Sequence, residues 1–188
     1  MRLQAPAVLA LLLATALACG GGEAARPAAE SAEVEPSAGG SATAPLEIPN
    51  AAQPLPQVTT GGQPSDEQLS AAREQGYRTV ISLRTEGEQG SEGERAKVEA
   101  LGMVFVSIPV AGADDLSEEN ARRLAEALAA DDAKPAIVHC GSGNRAGALL
   151  SMKAFLVDGA SAEEALALGK RAGLTKLEAA VRERLGLP

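Results

Sequence analysis

The 188-residue chain carries a formal net charge of −8, one histidine, two cysteines and three aromatic residues, Tyr77, Phe105 and Phe155. An acidic chain so poor in aromatics lacks the basic, stacking surface that a nucleic-acid partner needs, so no nucleic acid is expected. One histidine and two widely separated cysteines cannot build a His/Cys metal cluster, and neither a metal nor another cofactor is expected.

In chain order, Met1 and Arg2 lead into an apolar run, Ala5 to Ala18, shorter than the ~20 residues that span a bilayer. The run closes with Ala16-Leu17-Ala18-Cys19 and then Gly20-Gly21-Gly22, which resembles the lipobox of bacterial lipoproteins. That resemblance implies that residues 1–18 are a signal peptide and that Cys19 is acylated, anchoring the protein to a membrane. Glycine rather than aspartate after Cys19 points to the outer membrane, facing the periplasm. Ordinary cleavage after Ala18, leaving an incidental thiol, is the plainer alternative. Residues 19–57 are rich in Ala, Gly, Pro, Ser and Glu without an aromatic residue, the composition of a disordered linker. Residues 58–188 then form one domain with one core.

Within that domain Ser65 caps a helix running to about Gln75, where Gly76 stops it. Arg78 to Leu83 reads as a strand, Glu92 to Leu101 as a helix closed by Gly102, and Met103 to Val110 as a second strand. A helix follows from Glu118 to about Ala130, opened by Ser117, with acidic residues in its first turn. Pro135 to His139 is a short apolar strand of the kind buried mid-sheet. The remainder is helical: Asn144 to Val157, then helices opened by capping boxes at Ser161 and Thr175. Alternating helices and strands predict an α/β domain, a mostly parallel central sheet flanked by helices, with a helical C-terminal part.

The chemistry concentrates in Val138-His139-Cys140-Gly141-Ser142-Gly143-Asn144-Arg145-Ala146-Gly147: a buried strand, a cysteine, a glycine-rich turn and a helix opening with arginine. Glycines allow successive amide hydrogens to point inward, the helix dipole adds positive potential, and a guanidinium grips two oxygens at once. The same field lowers the pKa of Cys140 and makes it a thiolate nucleophile. Gly141, Ser142, Gly143, Asn144 and Arg145 are therefore the expected phosphate-binding residues.

This arrangement resembles the phosphate loop of cysteine-dependent protein tyrosine and dual-specificity phosphatases. Together with Gly62-Gln63-Pro64-Ser65, Ile81-Ser82-Leu83-Arg84 and Ser107-Ile108-Pro109-Val110, it is most similar to the phosphatase-like family found in beta-lactamase-hydrolase-like proteins. The resemblance implies a phosphatase-like fold, Cys140 as nucleophile, Arg145 as the clamp on the phosphoryl oxygens, and an aspartate acid on the loop after Val110. Asp114 is favoured for that acid over Asp115, and His139 is given a supporting role. The expected substrate is a phosphorylated small molecule or a phosphoprotein.

Two features separate the chain from that superfamily. Four residues rather than five lie between Cys140 and Arg145, and Ala146 stands where a hydroxyl residue usually follows the arginine. The shorter interval is shared with the beta-lactamase-hydrolase-like family and with some rhodaneses, so sulfur transfer through a Cys140 persulfide is an alternative. A catalytically weak, anion-binding lipoprotein is another.

Overall fold

A computed structural model describes residues 46–130 and 132–188. Among these residues five strands form one sheet: β1 (Ala52–Leu55), β2 (Val58–Gly61), β3 (Thr79–Ser82), β4 (Val104–Ser107) and β5 (Ala136–His139). Six α-helices accompany them: α1 (Asp66–Glu74), α2 (Glu94–Ala100), α3 (Glu118–Ala129), α4 (Asn144–Leu156), α5 (Ala162–Arg171) and α6 (Glu178–Leu185). The strand order is β1-β2-β5-β3-β4, with only β1 antiparallel to its neighbour. This is the expected α/β architecture, and its helical C-terminal part is α4 to α6.

Parallel strands joined through helices need both faces covered, and the side-chain alternation of each strand does this. Val80 and Ile137 turn toward a cluster with Leu69, Ala72, Tyr77, Val98 and Met103, the apolar side of α1 and α2. Ile81, Ala136, Val138 and Cys140 turn the other way, toward Leu124, Leu149, Leu150, Leu166 and Val181 on α3 to α6. β5 is buried along its whole length because it pairs on both sides, with β2 and with β3. Gly61, His139, Ser82 and Ser107 stand side by side in register. The loops that follow these four residues therefore all open at one carboxyl edge, where an open parallel sheet places its ligand crevice.

The N-terminal boundary differs from the sequence reading. The linker expected through residue 57 ends earlier, since Leu46 and Ile48 are 3% and 6% exposed in the α1–α2 cluster and Ala52–Leu55 is a strand. The burial is long-range: two isolated apolar residues in a proline-rich segment show no local period, yet they fill a groove formed by residues distant in sequence. Residues 1–45, including the expected signal peptide and Cys19, lie outside the described residues.

A second difference from expectation lies at α6. The Ser161 box forms as expected, with Ser161 accepting from the Glu164 amide and Glu164 accepting from the Ser161 amide. The Thr175 box does not form, and α6 starts at Glu178 without a side-chain cap. Thr175 is drawn elsewhere: its amide and hydroxyl both donate to Asn144 Oδ1, at 2.8 and 3.2 Å.

Helices α4 and α5 approach closely because glycine faces glycine. A Cβ on Gly147 would lie 2.4 Å from the Leu174 amide nitrogen and 2.6 Å from the Gly169 carbonyl oxygen, both backbone atoms that cannot swing aside. Gly147→Ala is therefore expected to destabilise the domain by ~1–3 kcal/mol, the usual cost of overpacking a tight core. Gly112→Ala is the control, since a Cβ there meets nothing within 4 Å. Urea-unfolding midpoints of the two variants check this.

Candidate active site

Cys140 follows directly on β5, and its backbone amide still donates to the Gly61 carbonyl at 3.2 Å, so the sheet fixes where its side chain starts. The chain then turns through Gly141, Ser142 and Gly143 into α4, with Gly143 at φ +90°, a conformation that strongly favours glycine. This tight turn folds the following amides back over the sulfur, and the Gly143 N–H donates to Cys140 Sγ at 3.1 Å. Cys140 is 1% exposed, and burial alone pushes its thiol up. The amides of Ser142, Ala146, Arg145 and Gly143 oppose that and leave its pKa below the ordinary thiol value. The loop thus folds its backbone amides around Cys140 Sγ and favours the charged form of the thiol.

Gly61 and Gly62, at the end of β2, let this loop lie against the sheet. Gly62 bridges to Ser142, and a Cβ on Gly62 would stand 3.0 Å from the Gly141 carbonyl oxygen. Asn50 braces the same turn by donating from Nδ2 to the Ser142 carbonyl at 3.2 Å.

Arg145 is held by contacts that sequence reasoning missed. Its Nη1 and Nη2 donate to the two carboxylate oxygens of Glu88 at 2.6 and 2.7 Å, and Nη1 also donates to the Val110 carbonyl at 2.9 Å. These contacts take both Nη1 hydrogens and one on Nη2. They leave Nε–H and the second Nη2–H along one edge of the guanidinium, the fork that suits a two-oxygen grip on an anion. Hydrogen bonding to Arg145 holds the Glu88 carboxyl far below the usual carboxylate range, despite some burial. The same pair raises the Arg145 pKa, with a further contribution from Cys140. Glu88 sits in a Gly- and Glu-rich turn, Thr85-Glu86-Gly87-Glu88, that resembles any solvated acidic loop. No local pattern marks it out.

The expected loop residues do come together, but not all through their side chains. Gly141 and Ser142 are exposed at the mouth, and Gly143 is buried. The Asn144 side chain turns away, accepting from the Thr175 amide, the Thr175 hydroxyl and the Leu177 amide. It docks the α5–α6 connection onto the start of α4, so only its backbone is available to the nest. His139 is fully buried on the opposite face of the sheet from Cys140, its Nε2 3.0 Å from Glu94 Oε1.

The two aspartates occupy a 3-10 turn, Ala113–Asp115, on the loop whose Val110 carbonyl holds Arg145. Asp115 is engaged: its Oδ2 accepts from the Ala111 amide at 2.7 Å and its carbonyl accepts from Asn120. Asp114 is exposed.

A depressed thiol pKa has a direct readout. Alkylation of Cys140 by iodoacetamide, followed against pH, is expected to inflect below the ~8.5 of a free thiol. An inflection at or above that value would mean that burial outweighs the amide nest.

A cysteine at the floor of an amide nest, beside a clamped arginine at the carboxyl edge of a parallel sheet, defines the cysteine-phosphatase class of fold. The chain belongs to the family of DSP-PTPase phosphatases fused to NAD+ kinase, whose family model matches residues 49–183. Among curated proteins, the beta-lactamase hydrolase-like protein of Xylella fastidiosa is 28% identical over 121 residues, 62% of this chain and 28% of that protein. Its counterpart in Agrobacterium fabrum is 30% identical over 94 residues, 48% of this chain and 21% of that one. The chain thus spans less than a third of the length of these relatives. Among solved structures, the core catalytic domain of the PP-IP phosphatase SIW14 from S. cerevisiae, in complex with citrate, superposes with a TM-score of 0.59 at 16% identity, covering 74% of this chain and 86% of that one. P. aeruginosa TpbA in complex with phosphotyrosine gives a TM-score of 0.54 at 18% identity, covering 73% and 90%.

Proposed function

We propose that the protein is a metal-independent cysteine phosphatase that cleaves phosphoesters through a cysteinyl-phosphate. The observation that carries this reading is the pairing of a thiolate-stabilising nest around Cys140 with an Arg145 whose free edge is held in place by Glu88 and Val110.

In the first step Cys140 Sγ attacks phosphorus. The bond from phosphorus to the leaving oxygen breaks, and Asp114 gives its proton to that oxygen. Three phosphoryl oxygens lie in the nest of loop amides, with Arg145 gripping two of them as charge spreads over the group. In the second step water attacks phosphorus, the S–P bond breaks, Asp114 takes the water proton, and inorganic phosphate leaves. No step needs a metal, because the amides and the guanidinium supply the positive field.

The substrate is a phosphorylated small molecule or a phosphoprotein. This draws support from the likeness of the fold to TpbA, solved in complex with phosphotyrosine, and to the PP-IP phosphatase SIW14. Acylation at Cys19 would hold the domain at the outer membrane, facing the periplasm, a reading that rests on the sequence of residues 1–22 alone.

One observation favours sulfur transfer instead: the four-residue interval between Cys140 and Arg145 makes a tighter cradle, suited to a smaller group than phosphoryl. Rhodanese chemistry needs no Asp114 and no second hydrolytic step. A panel of aryl phosphates and thiosulfate with cyanide, assayed without added metal, separates the two readings. Phosphate release inhibited by vanadate supports the first, and thiocyanate formation without phosphate release overturns it. Inactivity in both, with anion binding kept, would favour a binding role.

A further inference from the structure

Beneath the cysteine loop, on the α1–α2 side of the sheet, runs a chain of polar contacts that the mechanism above does not use. It starts at His139, the residue before the nucleophile, whose Nε2 meets Glu94 Oε1 at 3.0 Å. Glu94 Oε1 accepts from Gln63 Nε2 at 2.7 Å, and Gln63 Oε1 accepts from Arg84 Nη1 at 3.0 Å. Arg84 Nε stands 3.3 Å from Glu88 Oε2, and Glu88 grips Arg145. The Arg84–Glu88 link is an ion pair without an aligned hydrogen bond at Nε, and the His139–Glu94 link is likewise a close polar contact rather than an aligned hydrogen bond. The remaining links are hydrogen bonds.

The path therefore leaves the loop at one end and returns to it at the other. It passes through four separate segments: the turn after β2, the turn after β3, the first residue of α2, and the end of β5. Much of it is buried: the Glu94 side chain is 3% exposed, that of His139 0% and that of Arg84 9%, while Gln63 between them is half-buried. Buried ionic groups are costly, and apolar residues of similar volume commonly serve stability as well or better. Burial of three polar side chains along one line, joined through the half-buried Gln63, thus points to a geometric task.

Gln63 is the member whose chemistry is most constrained. It lies between a carboxylate, which can only accept, and a guanidinium, which can only donate. An amide meets both demands at once, donating from Nε2 and accepting at Oε1. Glutamate would set a second carboxylate against Glu94, and lysine would set a second cation against Arg84.

We propose that Gln63 and Glu94 are positioning residues, which through His139 and through Arg84–Glu88 hold Cys140 and Arg145 at the separation that one oxyanion requires. This rests on the phosphatase reading for its effect on turnover, while its effect on anion binding at Cys140 stands apart from that reading.

Three variants test it: Gln63→Met, which keeps length and removes both polar atoms; Gln63→Glu; and the double variant Gln63→Glu with Glu94→Gln. The double variant restores the order of donors and acceptors, since the carboxylate now on the β2 turn accepts both from Arg84 and from the amide that Glu94→Gln introduces on α2. Each is assayed for kcat and KM on an aryl phosphate, and for the tungstate concentration that protects Cys140 from iodoacetate. The two single variants are expected to lose kcat by up to ~10²-fold, the effect of a small misplacement of reacting groups. They are also expected to need more tungstate for protection, and the double variant to recover most of both. Folded single variants with wild-type kcat and wild-type tungstate protection would overturn the proposal, as would a double variant no better than Gln63→Glu. A purely structural role would lower the melting temperature without moving the tungstate requirement of the folded protein. Should Gln63→Glu fail to fold, Gln63→Met and the double variant decide the matter. Tungstate protection without phosphatase turnover in the wild type would reject the functional reading and leave positioning to be scored on protection; no protection in the wild type would overturn both.

Discussion

Cys140→Ser is expected to abolish hydrolysis of an aryl phosphate while the protein remains folded, with a loss on the order of 10⁴–10⁶, as for removal of other covalent nucleophiles. A serine hydroxyl in the same nest stays protonated at neutral pH, because the amides that lower the Cys140 thiol cannot lower an alcohol far enough. The same variant should keep tungstate binding, since the cradle is made of backbone amides and Arg145. Arg145→Lys serves as the companion: it keeps a positive charge but loses the fork, and with it the two-point contact to Glu88. A loss of about 10³–10⁵, the range for arginines that stabilise a transferring phosphoryl group, is expected. Steady-state kinetics on one aryl phosphate, with circular dichroism as the check on folding, reads both variants.

Asp114→Asn is expected to slow turnover of substrates with poor leaving groups by ~10²–10⁴-fold, the contribution of a positioned proton donor. An activated aryl phosphate, whose leaving oxygen needs little help, should suffer much less. Asp115 is the comparison. Its carboxylate already accepts from the Ala111 amide and shapes the turn, so Asp115→Asn should affect stability before it affects the leaving-group dependence. If Asp115→Asn instead carries the leaving-group effect, the acid moves by one residue.

Much of this site could be read from the sequence because its parts are contiguous. Strand, cysteine, glycine turn, arginine and helix lie within one decapeptide, and each element needs only local conformation to serve the anion. β5 was legible for a related reason: a strand paired on both sides is buried along its length, and it is apolar up to its last residue, His139. What stayed hidden was non-local. Leu46 and Ile48 have no periodic partners along the chain, yet they close the groove beneath α1. β2 contains two threonines and a glycine, and gains its identity from pairing with β5 rather than from its own pattern. Glu88 and Glu94 sit in a run rich in acids, Glu86, Glu88, Glu92 and Glu94, where nothing local distinguishes the two that face inward. Thr175 misleads for the same reason: its spacing to Glu178 fits a capping box, but Asn144, far away in sequence, competes for its donors. Asn144 itself fits a phosphate loop by position, whereas its side chain serves the α5–α6 connection.

In the proposed mechanism Cys140 carries a phosphoryl group during turnover, and rapid-quench mass spectrometry tests this most directly. Asp114→Asn or wild-type protein, mixed with an aryl phosphate and quenched in alkaline detergent, is predicted to yield the Cys140 peptide bearing one added phosphoryl group. That adduct should be absent in Cys140→Ser. A Cys140 persulfide formed from thiosulfate, with no phosphoryl adduct from any aryl phosphate, would contradict the account.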